Sequence, residues 1–477
     1  MQFTSLVFVI FLTLTFLIYW KLDLRKQNIF IFFASYVFYG WWDYRFLLLL
    51  FISTVVDFYA ARQMMLYPDS PARKRYLYLS LAVNLGLLGF FKYFNFFIAS
   101  AQDFLQGFGF SRASVWTLNI VLPVGISFYT FQTLSYTVDV YRRRIEASRS
   151  FVQFAAFVSF FPQLVAGPIE RASHLLPQFG RPRNFDYPLA VDGLKMVLWG
   201  FFKKIVIADN LALVVNALYA DSHSASGTAL LLGTIFFAFQ IYADFSAYSE
   251  IARGTARLFG FDIMRNFAYP YFSRNIVEFW RNWHISLSGW FRDYVFIPLG
   301  GSRVVSKTRY IFNIIVTFSL SGLWHGPNWT FVLWGFLNGI YYVPSIIFPN
   351  YFKKYQLGND KDVARFRDVP KIILTFIFIL LTWVFFRSTS VAQAWQILGK
   401  IFSSPFDASI LTDLRYLGSL GLVAFLVTCE WLSRGREHPL EFGFIPRPAR
   451  IAVYMAVLAA IFFIGQYEYI PFIYFQF

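Results

Sequence analysis

Long apolar runs separated by short clusters of lysine and arginine constrain this chain more than any other feature. Runs of about 17–25 apolar residues are long enough to cross the hydrocarbon core of a bilayer as helices. The composition agrees, because 57% of the residues are hydrophobic and only 14% are charged. The sequence therefore predicts an all-α polytopic membrane protein with about 11–13 membrane helices. The runs occupy 4–20, 29–43, 45–61, 76–98, 115–138, 190–216, 228–247, 310–323, 329–349, 370–386, 416–432 and 449–465.

One apolar segment, 151–167, is shorter than the others and is followed by a Gly-Pro pair, which predicts a re-entrant or interfacial helix as readily as a crossing. No low-complexity linker, internal repeat or soluble domain interrupts the pattern. We therefore expect one membrane domain over 1–477, with N-terminal spans in 1–150, a core in 151–350 that carries the motifs, and C-terminal spans in 351–477.

Basic residues follow every second apolar run at the start of the chain, which predicts the orientation. Cytoplasmic loops of membrane proteins are enriched in lysine and arginine. The connections at 42–45, 99–111 and 219–227 carry few positive charges, so we expect them outside, together with the N-terminus. The first run has no basic residue before it, which favours a retained span over a cleaved signal peptide. The basic clusters are Lys21, Arg25 and Lys26; Arg62 and Arg73–Arg75; and Arg142–Arg144 with Arg149.

The longest polar tract, 248–310, holds nine basic and four acidic residues and should also face the cytoplasm. Aromatic residues alternate with the charges there, as in surfaces that lie along a membrane interface. The chain as a whole has a formal charge of +16. Because the basic residues lie between apolar runs, this charge indicates contact with membrane lipid and not with nucleic acid.

Common catalytic motifs are absent: the sequence has no G-x-S-x-G, no P-loop and no H-E-x-x-H. The single cysteine, Cys429, excludes an internal disulfide and a cysteine-based metal site. Three of the five histidines, His174, His223 and His438, fall in predicted loops and are expected to be solvated surface residues.

His325 lies inside an apolar stretch, 318–336, where a titratable side chain is costly unless it is bonded or functional. Pro327 disfavours helical geometry at Gly326 and suits the first turn of a new helix, so we expect the chain to break there. A break at membrane depth is tolerated where a cavity surrounds it. A desolvated imidazole stays neutral and can accept a proton from a hydroxyl. The alternative is a core histidine bonded to a carbonyl.

His284 lies in the cytoplasmic tract beside Arg281 and Arg292, which could hold a phosphate-bearing or carrier-bound donor. The alternative is structural ion pairing, of Arg281 with Glu278 and of Arg292 with Asp293. The tryptophans next to the two histidines, Trp283 and Trp324, are expected to contact substrate. We find too few ligands at suitable spacing for a metal site and predict no metal or bound cofactor.

Three further polar positions border apolar runs. Asp244 ends the run 228–247, where a carboxylate usually faces the protein interior and pairs with a partner. Lys203 and Lys204 are expected to extend towards the interface, or alternatively to line an anionic path. Asn328, next to the predicted helix break, is a candidate donor to an oxyanion and a candidate substrate contact.

Several segments together, in order along nearly the whole chain, resemble the membrane-bound O-acyltransferase family, and within it the bacterial alginate O-acetyltransferase type. The matching segments are "LPVGISFYTFQTLSYTVDVYR" (122–142), "FFPQLVAGPIER" (160–171), "FFKKIVIADN" (201–210), "QIYADFSAYSEIARG" (240–254), "FWRNWHISLSGWFRDYVFIPLGGSR" (279–303), "SGLWHGPNWTFVLWG" (321–335) and "FIYFQF" (472–477).

The resemblance implies a helical membrane fold around a central tunnel, in the bacterial cytoplasmic membrane. It implies that His325 is the catalytic residue and that His284 supports the cytoplasmic donor side. It also implies acetyl-CoA as co-substrate, a polysaccharide acceptor, and a separate extracytoplasmic partner related to SGNH hydrolases.

Three alternatives remain open at this point. A D-alanyl transfer protein of teichoic acid modification would share both histidines and take its acyl group from a carrier protein. A transporter could use His325 and Asp244 to relay protons or to bind substrate. A noncatalytic scaffold of a polysaccharide export complex would be insensitive to loss of both histidines.

Overall fold

The computed structural model of the chain describes residues 1–109, 117–165, 167–356, 363–443, 445–468 and 470–475. These residues form helices and connecting loops, and none of them is in a β-strand, which confirms the all-α prediction. The chain divides into two compact units, one formed by Met1–Tyr187 with Ala256–Met264 and the other by Pro188–Thr255 with Arg265–Phe477. The prediction of a single domain stays a prediction.

The first unit is built from the N-terminal helices, and a polar network holds three of them together. The Asp57 carboxylate of α3 accepts hydrogen bonds from Ser80 (2.5 Å) and Asn84 (2.9 Å) of α4, and Ser80 also contacts Thr137 of α6 (3.0 Å). Polar contacts of this kind join helices where lipid supplies no hydrophobic drive. The helices are α1 Leu6–Tyr19, α2 Leu24–Gly40, α3 Leu47–Leu66, α4 Ala72–Leu88, α5 Phe94–Gly107, α6 Ile126–Tyr141, α7 Phe151–Ser159, α8 Phe161–Leu164 and α9 Ala172–Phe179.

The second unit contains both histidine motifs. Its helices are α10 Tyr187–Phe202, α11 Asp209–Ala220, α12 Gly227–Leu258, α13 Ile276–Asn282, α14 Ile285–Phe291, α15 Lys307–His325, α16 Trp329–Ile347, α17 Pro349–Gln356, α18 Val369–Arg387, α19 Val391–Ser403, α20 Leu414–Ser433 and α21 Arg447–Ile464. The first residue of α10 and the last three residues of α12 belong to the first unit.

Within the described residues, seven helical segments are long and apolar enough to cross a membrane: Tyr44–Leu66, Ala72–Gly107, Gly227–Leu258, Trp329–Ile347, Phe366–Arg387, Leu414–Ser433 and Arg447–Ile464. The chain is therefore a multi-pass membrane protein. Fewer helices qualify than the sequence predicted, because several apolar runs fold into shorter helices. The first run forms a helix of only 14 residues, Leu6–Tyr19, and of the run 115–138 only the part from Ile126 is helical in the described residues.

The predicted break after His325 is present. Helix α15 ends at His325, Gly326 is extended with φ −165°, and α16 begins at Trp329. The structure differs from the prediction at Pro327, which precedes the helix instead of occupying its first turn. The reason is Asn328, whose side-chain oxygen accepts a hydrogen bond from the Thr330 amide (3.0 Å) and caps the helix one residue later.

Candidate functional site

His325 lies at the C-terminal end of α15 and is buried, with 3% of its surface exposed. Four aromatic rings surround the imidazole. Their centroids lie 5.1 Å away for both Trp324 and Trp334, 5.3 Å for Phe386 and 5.5 Å for Tyr474. The four rings thus leave little of the imidazole surface exposed to solvent. A neutral imidazole at this position can act as a proton acceptor.

His284 lies between α13 and α14 in a left-handed backbone conformation with φ +42°. This conformation is uncommon for residues other than glycine, and it clusters at functional sites. The imidazole is buried, and neither of its ring nitrogens has a hydrogen-bond partner among the described residues. His284 lies outside the seven candidate spans, and burial lowers its pKa to about 3, so the ring is neutral at physiological pH.

A polar network fixes the backbone next to His284. The carbonyl of Asn266 accepts the Ile285 amide (2.9 Å), and its side-chain oxygen accepts the Ser286 hydroxyl (2.7 Å). The side-chain amide of Asn266 then donates to Ser249 of α12 (3.1 Å). Leaving a buried polar group without a partner costs about 1–3 kcal/mol. The hydrogen bonds of this network hold the backbone next to His284 in place and can offset the cost of its unbonded ring nitrogens.

The two histidines form one site. Their ring centroids are 6.3 Å apart at an interplanar angle of 64°. The sequence separated them by depth, with His284 at the cytoplasmic surface and His325 within the membrane. In the structure the loop of His284 packs against Phe245 of α12, whose ring lies 4.6 Å from the imidazole, and the difference in membrane depth stays a prediction. The two imidazoles are therefore neighbours in the structure.

Tryptophans form the walls around the histidine pair. Trp283, predicted as a substrate contact, stacks on Phe279 at 5.5 Å and lies 5.1 Å from Trp383 of α18. Trp324, also predicted, faces both histidines, at 5.1 Å from His325 and 6.0 Å from His284. Of these two predicted residues, Trp324 lines the histidine pair directly, while Trp283 supports the wall behind it.

The side chain of Asn328 makes structural hydrogen bonds. Its oxygen caps α16 and its amide donates to the carbonyl of Thr389 (3.0 Å), which joins α16 to the end of α18. These bonds use the oxygen and one of the two N–H groups of the amide. The role of Asn328 as an oxyanion donor stays a prediction.

The predicted arginines divide into two kinds. Arg292 is exposed and pairs with Asp293 at 2.8 Å, which is the structural alternative stated for it. The carboxylate of Glu278, which is the partner stated for Arg281 in the structural alternative, pairs with Arg274 at 2.6 Å. Arg281 lines a small cavity of about 150 Å³ together with Asn282 and two further arginines, Arg265 and Arg434. The positive charge at this cavity keeps Arg281 as a candidate for donor binding.

The expectation that Lys203 and Lys204 extend to the interface is wrong. Both side chains are buried: Lys203 pairs with Glu250 (2.7 Å), and Lys204 pairs with Asp209 (2.6 Å) and Asp244 (3.0 Å). Each lysine has a carboxylate partner within the protein, and the cost of burying its charge is thereby offset. Asp244 faces the interior, as expected, but its carboxylate is occupied by Lys204 and by the Ile473 amide (2.8 Å).

The remaining histidines also differ in part from expectation. His223 is exposed, as predicted, and contacts Gln396. His438 is buried and bonded to Asp192 at 3.1 Å, so its predicted exposure is wrong. His174 is partly exposed between Glu170 and Asp262, and these two carboxylates raise its pKa to about 10.

Sequence reasoning missed Tyr474. Its ring lies 5.5 Å from that of His325 and 6.4 Å from that of His284, although the three residues are far apart in the chain. The only signal was the terminal stretch "FIYFQF", which had been identified by resemblance without a role. A residue near the C-terminus thus closes one side of the site.

Comparison with known proteins gives these observations a context. A "probable alginate O-acetylase AlgI" of Pseudomonas aeruginosa is 37% identical over 92% of this chain and 83% of its own. A "peptidoglycan O-acetyltransferase" of Helicobacter pylori is 34% identical over 83% of this chain and 78% of its own. A "teichoic acid D-alanyltransferase" of Streptococcus thermophilus is 29% identical over 57% of this chain and 69% of its own.

The family model of the membrane-bound O-acyltransferases (MBOAT) matches residues 7–391, which include both histidines and most of the helices described above. The chain therefore belongs to the membrane-bound O-acyltransferase family.

Proposed function

We propose that this membrane-bound acyltransferase is an O-acetyltransferase that takes an acetyl group from acetyl-CoA for O-acetylation of a secreted or cell-wall polysaccharide. The observation that carries the proposal is the pair of buried imidazoles, His325 and His284, with ring centroids 6.3 Å apart inside an aromatic enclosure. The names of the alginate and peptidoglycan O-acetyltransferase relatives support acetyl as the group and a polysaccharide as the acceptor.

The proposed chemistry assigns one role to each histidine. Neutral His325 takes the proton of an acceptor hydroxyl as its oxygen attacks the thioester carbonyl carbon. The resulting oxyanion accepts a hydrogen bond from the ring N–H of His284. The C–S bond then breaks, and the thiolate of CoA receives the proton from His325. The ester product and free CoA leave, and both histidines are again neutral.

The aromatic walls favour a small acyl group. Trp334 and Trp383 stack with centroids 5.8 Å apart, and Phe386 lies 5.1 Å from Trp334 and 5.2 Å from Trp383. Large rings at van der Waals distance cannot be displaced cheaply, because protein interiors are close-packed. An acetyl group fits this requirement better than a long acyl chain.

The distribution of basic residues supports a direction for the transfer. The tract 248–310, with nine basic residues, would face the cytoplasm and receive acetyl-CoA, and the N-terminus would lie outside the bacterial cytoplasmic membrane. The acceptor would then be reached from the outer face. We propose that an extracytoplasmic partner related to SGNH hydrolases delivers the group to the polysaccharide.

The test of this function is a donor comparison with the purified chain in lipid vesicles. Acetyl-CoA labelled in its acetyl group is supplied with the candidate partner and an oligosaccharide acceptor, and a D-alanyl carrier-protein thioester is supplied in a parallel reaction. We expect thiol release and labelled ester only with acetyl-CoA. Consumption of the D-alanyl thioester alone would favour the teichoic acid alternative, and solute flux without thioester consumption would favour a transporter.

Replacement of His284 tests the proposed oxyanion contact. We expect His284→Ala to lower kcat by about 100- to 1,000-fold, the usual cost of one lost oxyanion donor, with little change in KM for acetyl-CoA. His284→Asn should recover part of kcat, because asparagine tolerates a left-handed backbone and has an N–H to donate. His223→Ala, at an exposed histidine, serves as the control. Equal loss in the alanine and asparagine variants would contradict a donor role.

A further inference from the structure

The chain beyond α21 turns back to the histidine pair. Phe472 is 1% exposed and lies 4.2 Å, between ring centroids, from Tyr248 of α12. Two residues later, Tyr474 contacts His325 and His284. A short segment without a long helix of its own thus forms one wall of the site. A short segment of this kind needs specific contacts to stay in one position.

A buried charge cluster supplies those contacts. The Lys204 ammonium lies 2.6 Å from the carboxylate of Asp209 and 3.0 Å from that of Asp244. It also donates to the carbonyl of Ile470 at 3.4 Å. The second carboxylate oxygen of Asp244 accepts the backbone amide of Ile473 at 2.8 Å. The cluster therefore binds the backbone of the segment 470–474 at two points, the carbonyl of Ile470 and the amide of Ile473.

A π-helical turn at Lys203–Ala208, between α10 and α11, provides further contacts to the chain after α21. Wide turns of this type interrupt the regular helical hydrogen bonds and are frequent at functional sites. Here the carbonyl of Ile205 accepts the amide of Gln466 at 3.0 Å. Helix α11 adds Asn210, whose side chain donates to the carbonyl of Ile464 at 3.0 Å. The described residues after α21 are thus bonded to this surface at Gln466, Ile470 and Ile473.

Stability alone is a poor reason to keep such a cluster. Desolvation of buried charges can exceed their mutual attraction, and apolar side chains of similar volume often stabilise a fold equally well. Lys204, Asp209 and Asp244 have 2%, 7% and 3% of their side chains exposed, so all three are desolvated. Apolar side chains could not, however, form hydrogen bonds to the amide of Ile473 and the carbonyl of Ile470.

We propose that Lys204 and Asp244 are positioning residues that hold the segment 470–474 against the histidine pair. They fix the ring of Tyr474 beside His325 and thereby complete the enclosure in which His325 accepts its proton. The inference rests on the proposed function in one respect, that His325 performs the transfer. The anchoring of the segment is measured separately from that function.

The test variant is Asp244→Leu. It removes the Ile473 contact and leaves Lys204 paired with Asp209, so no uncompensated charge is created at the lysine. Displacement of a site wall by about 1 Å can cost about 100-fold in rate. We therefore expect kcat for acetyl transfer to fall by about 100-fold, with a smaller change in KM.

A thiol at position 473 reports the position of the segment independently of activity. Ile473 is 2% exposed, so Ile473→Cys in a Cys429→Ser background should react slowly with a maleimide. Adding Asp244→Leu should raise the labelling rate by at least about tenfold, since loss of the bond to the Ile473 amide releases this segment from the cluster. The matched control is Glu250→Gln, which breaks the neighbouring buried pair with Lys203 and should leave the thiol protected.

The outcomes are distinguishable. Faster labelling together with lower kcat supports the proposal. A protected thiol in Asp244→Leu, or an exposed thiol with unchanged kcat, overturns it. Full transfer by a His325→Ala protein refutes the proposed function and leaves the labelling result valid. If Asp244→Leu does not fold, Asp244→Asn replaces it, because Lys204 and Ile473 contact different oxygens of the carboxylate and asparagine has an NH₂ donor in place of one of them. The same two measurements then decide.

Discussion

Replacement of His325 by alanine is expected to lower the rate of acetyl transfer by about 1,000-fold or more, within the range that one positioned general base supplies. The imidazole is buried among four aromatic rings, so no bulk water is close by to take over as the base. The carboxylate of Asp244 is not available as a replacement base either, because it is bonded to Lys204 and Ile473. The measurement is the release of CoA thiol by the purified protein in vesicles.

The control for this variant separates chemistry from structure. His325→Gln keeps a polar side chain of similar length but lacks a basic nitrogen, so we expect the glutamine protein to be as inactive as the alanine protein. Both proteins should insert into membranes and elute as single species in detergent. A His325→Ala protein that folds normally and retains full transfer would eliminate His325 as the base.

Replacement of Gly322 by alanine is expected to give the largest loss of stability. A Cβ atom at Gly322 of α15 would lie 2.1 Å from the carbonyl oxygen of Phe331 in α16, and one at Gly335 would lie 2.2 Å from that of Phe318. Both obstacles are backbone atoms, so the two helices must separate. Overpacking typically costs about 1–3 kcal/mol. We expect Gly322→Ala to lower the melting temperature, and Gly322→Ala/Gly335→Ala to yield little monodisperse protein.

Gly421 provides the matched control for this prediction. It lies in α20, and a Cβ atom there would have no neighbour within 4 Å. Gly421→Ala should therefore melt at the wild-type temperature or above it, since alanine is favoured over glycine in a helix by about 1 kcal/mol. Wild-type stability of Gly322→Ala would mean that α15 and α16 are not held this closely. Any protein recovered should also have a lower kcat, because α16 carries Trp334 against His325.

The membrane class and the helix break could be predicted because both depend on local sequence. Length and apolarity of a run decide whether it can span a bilayer, and Gly326-Pro327 disfavours a continuous helix whatever surrounds it. Asn328 shows a local signal that was overlooked. An asparagine immediately before a helix is a preferred N-cap, and the structure uses it as one.

Buried charges could not be assigned from the sequence because their partners lie elsewhere in the chain. Lys204 meets Asp244, 40 positions later, and donates to the carbonyl of Ile470. His438 meets Asp192 in the same way. A lone charge near an apolar run gives no indication of such a partner, so the sequence favoured solvent or the interface for both Lys204 and His438.

The sequence by itself determined that this chain is a helical membrane protein with a histidine at a helix break, because apolar length, basic loops and proline act on their immediate neighbours. The tertiary structure alone decided that His284, His325 and Tyr474 share one enclosure. It also decided that Lys204 and Asp244 bind the backbone of the segment 470–474 beside that enclosure. These contacts join residues that are 41 to 266 positions apart. Packing of helices that are distant in sequence brings such residues together, and no local preference specifies it.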